Sequence, residues 1–474
     1  MNVYKVVIGL ETHCELNTKK KVFSNSNNIY SQSPNTNISA IDLGFPGILP
    51  VLNKESVVKA LQVAIALNSK IPAKLTFDRK NYYYPDLPKG YQITQSKYPI
   101  GEEGYALIDI DGETRKVLIH DIHLEEDSAS LDHVGDSTLV DYNRAGVPLI
   151  EIVTEPCLNS SSEAVAYLES LRNMLLYLDV SEARADRGQI RCDVNVSLMK
   201  DTDTKLGTKV EMKNINSFAN VKDAIDAEVN RQREALDKGE AIIQETRRYD
   251  EITKTTHRMR DKVESIDYKY FTEPNIPDIS LKIDFISSVK TNLPILPYDR
   301  KKKYLELGIS LVDANTLVRQ KDISDYFNQI LGEGIEAKTA CNWIISVVIS
   351  YLNKTFTDIK NLSLTPKMLS EVIKLVESSK ISGKQGKELL TKSLEDNIDP
   401  IEIFNKSNMT QITDIGEITN IITKIIDANL NLVEDYRKGK NVFNFFIGQV
   451  MKETKGTVNP KIASDILKQE LDKR

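Results

Sequence analysis

The stretch VVIGLETHCEL, Val6–Leu16, decides how this chain is read. In an extended strand, successive side chains point to opposite faces. Ile8, Leu10, Thr12, Cys14 and Leu16 then share one face, and Glu11, His13 and Glu15 share the other. Alone, this is an ordinary half-solvated antiparallel strand. The pattern returns three more times. VLIHDIHLEED, Val117–Asp127, aligns Asp121, His123, Glu125 and Asp127, with Glu126 joining them where the strand ends or bulges. IRCDVNVSL, Ile190–Leu198, sets Arg191, Asp193, Asn195 and Ser197 opposite an apolar side. TKVEMK turns Lys209, Glu211 and Lys213 outward.

Four half-buried strands therefore share a polar tray of carboxylates, imidazoles and a few cations. Like charges gathered in one place repel unless something positive lies between them, and a divalent cation is the simplest candidate. Carboxylate-rich ligation with one or two histidines suits Mg²⁺ or Mn²⁺ better than zinc, and such Mg²⁺ sites commonly act on nucleotide phosphates. Arg191, Lys209 and Lys213 are placed to neutralise phosphate oxygens. FDRKNYYYPDLPKGYQITQ, Phe77–Gln95, reads as an irregular loop rich in tyrosine and cations, of the kind that stacks a base and holds a phosphate. Neither GxxxxGK[ST] nor HExxH occurs, which argues against a P-loop nucleotide site and a zinc peptidase.

At 474 residues the chain is too long for one ordinary core. A net charge of -6 gives no bulk attraction for nucleic acid, so any RNA contact has to come from local patches. Cys14, Cys157, Cys192 and Cys341 form no CxxC pair, which suits a reducing compartment and argues against a disulfide framework. No apolar run is long enough to span a membrane, and the first strand begins too early to leave room for a signal peptide. A cytoplasmic protein with no membrane contact is expected. Two compositions meet near residue 290: short alternating runs with all five histidines before it, long helical spacing after it. The expected division is an α+β domain over 1–292, with helices near Ser160–Leu178 and Ser217–Lys238, then an all-α domain over 293–409 and a small helical tail over 410–474. The tail carries a slight excess of basic side chains.

VVIGLETHCELNTKKKVFS, FDRKNYYYPDLPKGYQI, HLEEDSA, VDYNRAGVPLIEIVTEP, RCDVNVS, EMKNINSF and DYKYFTEP resemble, in order, motifs of the B-subunit family (GatB) of the tRNA-dependent amidotransferases. The resemblance implies an N-terminal cradle of antiparallel sheets, related to glutamine synthetase catalytic domains, followed by helical and tRNA-gripping tail domains. It implies two protein partners, the amidase or A subunit and the small C subunit, with tRNA(Gln) and/or tRNA(Asn) as carriers. It also implies ATP- and Mg²⁺-dependent phosphorylation of the mischarged Glu or Asp side chain, then displacement of phosphate by ammonia from glutamine. Carried over by motif, Glu11, His13, Glu125, Glu126, Asp193 and Glu211 are the expected metal shell. Lys80, Arg191 and Lys213 are the expected phosphate-directed catalytic groups. Arg79, Tyr83, Lys89 and Tyr91 are expected to bind nucleotide or the acceptor end. Departures are visible. Ser24, Ser26, Ser39 and Asp42 stand where some members have a cysteine zinc knuckle, so no zinc is expected. Arg187 and Gln189 in ADRGQ stand where the family usually has Glu and Ser; Lys269 replaces a usual Arg, and Thr272 a usual Pro. Arg187 keeps open the alternative of a non-catalytic subunit that holds tRNA.

Overall fold

The computed structural model describes residues 4–30, 33–200, 202–213, 215, 217–261, 267–407, 414–437, 440, 442–454 and 458–473. The expected boundary at 409/410 lies outside them. In chain order the first part contains β1 (Tyr4–Glu15), α1 (Lys54–Ala66), β2 (Lys74–Leu75), β3 (Asp78–Asn81), β4 (Tyr91–Thr94), β5 (Gly101–Ile110) and β6 (Glu113–Glu126). There follow β7 (Ser130–Val134), β8 (Ser137–Asp141), β9 (Pro148–Thr154), α2 (Ser161–Tyr177), β10 (Ile190–Lys200), β11 (Val210–Lys213) and α3 (Phe218–Asp237). β12 (Glu245–Asp250), β13 (Thr255–Asp261), β14 (Phe271–Thr272), β15 (Ile279–Ser280) and α4 (Ile283–Thr291) complete it.

Eight strands form one sheet in the order β13-β12-β11-β10-β1-β9-β6-β5. Every neighbouring pair is antiparallel except β11 and β12, which run parallel. β1 lies inside this sheet, with Glu11 opposite Asp193 on one side and His13 opposite Glu151 on the other. Its apolar file is the core file: Ile8, Leu10, Thr12, Cys14 and Leu16 are all buried.

Three helices cover that face. Asn53, Ser160 and Ser217 cap α1, α2 and α3, each side chain accepting a backbone N–H of the first turn. Leu61 and Ala64 of α1, Leu168, Leu171 and Leu175 of α2, and Val221 and Ile225 of α3 join Leu10, Ile122, Ile150 and Val194 in one hydrophobic cluster. Burying each large aliphatic side chain contributes roughly 1.5–3 kcal/mol, enough to fix which face of the sheet is inward. The opposite face keeps its polar side chains.

β6 changes phase partway. Its register with β9 slips between Ile119 and Asp121, so Val117 and Ile119 are buried before the slip, and Ile122 and Leu124 after it. Such a bulge adds one residue to one strand. It is what places Asp121, His123 and Glu125 on the polar face despite the apolar residues at odd positions upstream.

The chain divides into two compact units, Met1–Tyr298 and Asp299–Arg474, a few residues beyond the expected 292/293. α4 belongs to the first, with Val289 in its core cluster and Leu293 and Leu296 packed against it. All elements of the second unit among the described residues are helices. They build two separate hydrophobic clusters, one around Phe327, Ile344, Ile373 and Leu390, the other around Ile418, Ile422, Phe446 and Leu467.

Candidate active site

The polar face of the sheet gathers two groups of metal-type ligands. In the first, one ligand atom each from His13, Glu125 and Glu151 lie within 4.8 Å of one another. His13 Nε2 stands 4.0 Å from Glu125 Oε1 and 3.7 Å from Glu151 Oε1. In the second, Glu11, Asp193 and Glu211 meet the same limit. Five strands supply these residues: β1, β6, β9, β10 and β11.

Their surroundings hold them in place. Thr94 donates its hydroxyl to Glu125 at 3.0 Å, Asn195 Nδ2 donates to Glu11 at 2.9 Å, and Thr246 donates to Glu211 at 2.9 Å. Burial, and then the Glu151 carboxylate, push the Glu125 carboxyl above its usual range. Glu151 behaves oppositely: burial opposes it, yet the His123 and His13 imidazoles hold it down at about 2. Two carboxylates this close, one disfavoured as an anion and one firmly anionic, are the arrangement that a bound cation would relieve. The donor set of two carboxylates and one imidazole suits a hard divalent ion.

The second group is already shared with a cation. Lys213 Nζ lies 2.7 Å from Asp193 Oδ2 and 3.2 Å from Glu211 Oε1. Although burial opposes it, Asp193 and then Glu211 hold the Lys213 ammonium well above its ordinary range. Burial also opposes the charge on Lys80, yet Glu125, Tyr270 and Glu151 hold that ammonium up. Its Nζ sits 5.0 Å from the Tyr268 ring centre. Arg191 donates from Nη2 to Asp127 Oδ2 at 2.8 Å. Lys80, Arg191 and Lys213 thus border the carboxylates.

Glu126 does not join either group. It follows strict alternation to the other face, where its carboxylate accepts from Lys89 Nζ at 2.6 Å and from Ile93 N at 2.9 Å. Lys89 is therefore occupied by an internal carboxylate. Arg79, next to Lys80 on β3, also points away from the tray. It makes a two-pronged pair with Glu273 at 2.5 and 3.1 Å and stacks over the Tyr91 ring at 4.2 Å. Arg79, Lys89 and Tyr91 thus sit in a buttress beneath the site, while Tyr83 is 96% exposed with its ring in solvent.

Glu151 is the residue missed in the sequence. PLIEIVT offers one carboxylate in an apolar run, so it lacks the file of charges that marked the other strands. Its signal is period two: Ile150 and Ile152 are buried and Glu151 alternates with them. At the four positions where no zinc is expected, Asp42 accepts from Ser24 Oγ at 2.7 Å, Ser39 Oγ at 2.9 Å, Ser39 N at 2.8 Å and from Ser26 Oγ. These donors satisfy the carboxylate within the protein. Arg187 Nη1 lies 3.5 Å from Glu182 Oε2.

Residues 6–287 match the family model of the GatB/GatE catalytic domain, a span that contains every strand of the tray. The chain belongs to the GatB family. Residues 325–471 match a second model of that family, the GatB domain. Over 472 residues the chain is 44% identical to two proteins named as the B subunit of aspartyl/glutamyl-tRNA(Asn/Gln) amidotransferase, from Bacillus cereus (strain AH187) and Bacillus thuringiensis subsp. konkukian (strain 97-27). The match covers 99% of this chain and of each relative. No helix among the described residues of this GatB-family chain is long and apolar enough to cross a membrane.

Proposed function

We propose that this chain is the B subunit of a glutamine-dependent amidotransferase, and that its cradle activates the side-chain carboxylate of Glu or Asp wrongly attached to tRNA(Gln) or tRNA(Asn). The observation that carries this reading is the pair of carboxylate groups on one sheet face, bordered by Lys80, Arg191 and Lys213. A carboxylate does not exchange oxide for ammonia; converting it to an acyl phosphate with ATP provides a leaving group. His13, Glu125 and Glu151, and beside them Glu11, Asp193 and Glu211, would hold Mg²⁺, which spreads the charge of a transferring phosphoryl group. Lys80 and Lys213 supply fixed positive charge at the same place, so the site meets phosphate oxygens with little rearrangement. Asn195, Thr94 and Thr246 keep the carboxylates oriented. Ammonia would come from glutamine hydrolysed in the amidase (A) subunit, with the small C subunit completing a cytoplasmic complex.

Co-purification with the A and C subunits, followed by transamidation of both mischarged tRNAs, tests the whole reading. Glu125→Gln keeps shape and removes one ligand charge. Amidation is expected to fall on the order of a hundredfold, about 2.7 kcal/mol in the barrier, while glutamine hydrolysis without tRNA stays within about twofold. Normal amidation in Glu125→Gln would overturn the assignment.

A further inference from the structure

A second recess opens at the end of the polar face, past His13. Glu15, the next residue of the same β1 file, lines a cleft of about 590 Å³ together with Asn17, Asn28, Tyr30, Arg187 and Gln189. Two residues of strand separate His13 from Glu15, roughly 7 Å of chain. The cleft is thus a neighbour of the first ligand group and distinct from it. Nothing in the proposed chemistry uses it.

Its walls have a definite character. The Arg187 guanidinium lies over the Tyr30 ring, 5.0 Å from its centre, and Tyr30 is 69% exposed. An exposed aromatic ring under a guanidinium is a stacking platform for a flat, electron-rich ring. Amide side chains stand beside it. Asn28 is oriented by donating Nδ2 to Leu16 O at 2.8 Å, which leaves its Oδ1 as an acceptor. Asn17 Oδ1 accepts from Lys59 Nζ at 2.8 Å, so its Nδ2 is a donor. Gln189 Oε1 accepts from the Arg184 N–H at 3.3 Å, so its Nε2 is a donor too. The cleft therefore offers both donor and acceptor amides, the pattern that pairs with the amino group and ring nitrogen of adenine.

Charge argues against a phosphate in the same place. Glu15, Asp141 and Glu182 line the cleft against Arg144 and Arg187. Arg144 is already engaged, donating to Ser128 O at 2.9 Å and Ala129 O at 3.0 Å. A neutral ring fits these walls, where Asp141 and Glu182 balance the two arginines and leave no surplus positive charge for a phosphate.

We infer that this cleft is a base-binding subsite for adenosine, with the ring stacked on Tyr30 and Arg187 and its polar edge read by Asn17, Asn28 and Gln189. Two carriers of adenosine belong to the proposed reaction, ATP and the 3′ end of tRNA, and in naming them the inference rests on that proposal. In either case the polar part of the ligand extends along β1 toward His13 and Glu125.

The test uses the three-subunit complex and three versions of this chain: wild type, Tyr30→Ala and Tyr30→Phe. Tyr30→Ala is expected to raise the KM of one carrier about tenfold, as loss of one base–aromatic stack implies, with kcat within about twofold. Tyr30→Phe retains the ring and should restore the wild-type KM. A change confined to ATP assigns its base to the cleft; one confined to tRNA assigns the terminal adenosine. Unchanged KM for both in Tyr30→Ala, or a fall in kcat alone, overturns the subsite. A second readout does not depend on the amidation chemistry. The fluorescence of 2-aminopurine riboside triphosphate, or of a short CCA-ended RNA carrying 2-aminopurine at its 3′ end, should be quenched on binding wild type and Tyr30→Phe, and not Tyr30→Ala. Quenching in a complex that fails to amidate would preserve the cleft and reject the proposed function. Amidation without quenching of either probe would do the reverse.

Discussion

Glu125 and Glu126 are adjacent in sequence and have opposite surroundings. Glu125 faces His13 and Glu151; Glu126 faces Lys89, which is itself largely buried at 12% side-chain exposure. Removing one partner of a buried pair strands the other charge and costs about 3–5 kcal/mol. Lys89→Ala is therefore expected to lower the urea midpoint markedly, whereas Glu125→Gln should act on amidation and leave folding nearly intact. Urea titrations of the two variants check this directly. Arg79 provides a pH-dependent counterpart. Against the effect of burial, its hydrogen bonds hold the Glu273 carboxyl below the usual range. A carboxyl lowered in the folded state contributes stability above its unfolded value, near 4.5, and loses it as pH falls through the folded value. Stability should thus decline from about pH 5 downward, and Arg79→Gln should flatten that decline, measured as urea midpoint against pH.

At the scale of elements, close approaches fix how the sheet is edged. β5 is pinned to the segment after α1 by Tyr105 N–H to Leu67 O at 2.7 Å and by paired bonds between Lys70 and Glu102. A Cβ built on Gly104 would lie 2.6 Å from the Leu67 carbonyl oxygen and against the Ser69 hydroxyl. Backbone cannot yield there as a flexible side chain does. Gly104→Ala is expected to destabilise the first unit by about 1–3 kcal/mol, while Mn²⁺ binding, read by electron paramagnetic resonance, persists at low temperature. The bulge in β6 is the companion device. A one-residue change in phase moves every later side chain to the other face, so the slip near His120 is what brings His123 and Glu125 to the tray. His120 itself stays exposed, 2.8 Å from Glu155.

The whole molecule separates metal-type ligands from the helical unit. The ligands of both groups lie within Met1–Tyr298, whose hydrophobic cluster is contained within it, and the second unit has its own clusters. A fragment ending at Tyr298 is expected to fold cooperatively and bind Mn²⁺ with the affinity of the full chain, as titration calorimetry and circular dichroism would show. Removing residues 410–474 should raise the KM for tRNA several-fold and leave Mn²⁺ binding unchanged, if the tail grips tRNA as the family resemblance implies. An unaltered KM would assign that cluster a purely structural part.

Much of this was legible in the chain because alternation is a local property. The inward file of β1, the polar files of β6 and β10, and the approximate extents of α2 and α3 follow from neighbours a few residues apart, and the sequence alone placed them. Strand order is not local. Nothing in PLIEIVT marks β9 as the strand between β1 and β6, so only the folded sheet could bring Glu151 to His13 and Glu125. The same holds for Glu126, Arg79 and Lys89, whose charges promised ligand contacts and instead found internal partners of opposite sign. A charged side chain in a sequence states what it can pair with; tertiary packing decides with which partner, because burial makes a distant carboxylate closer than solvent.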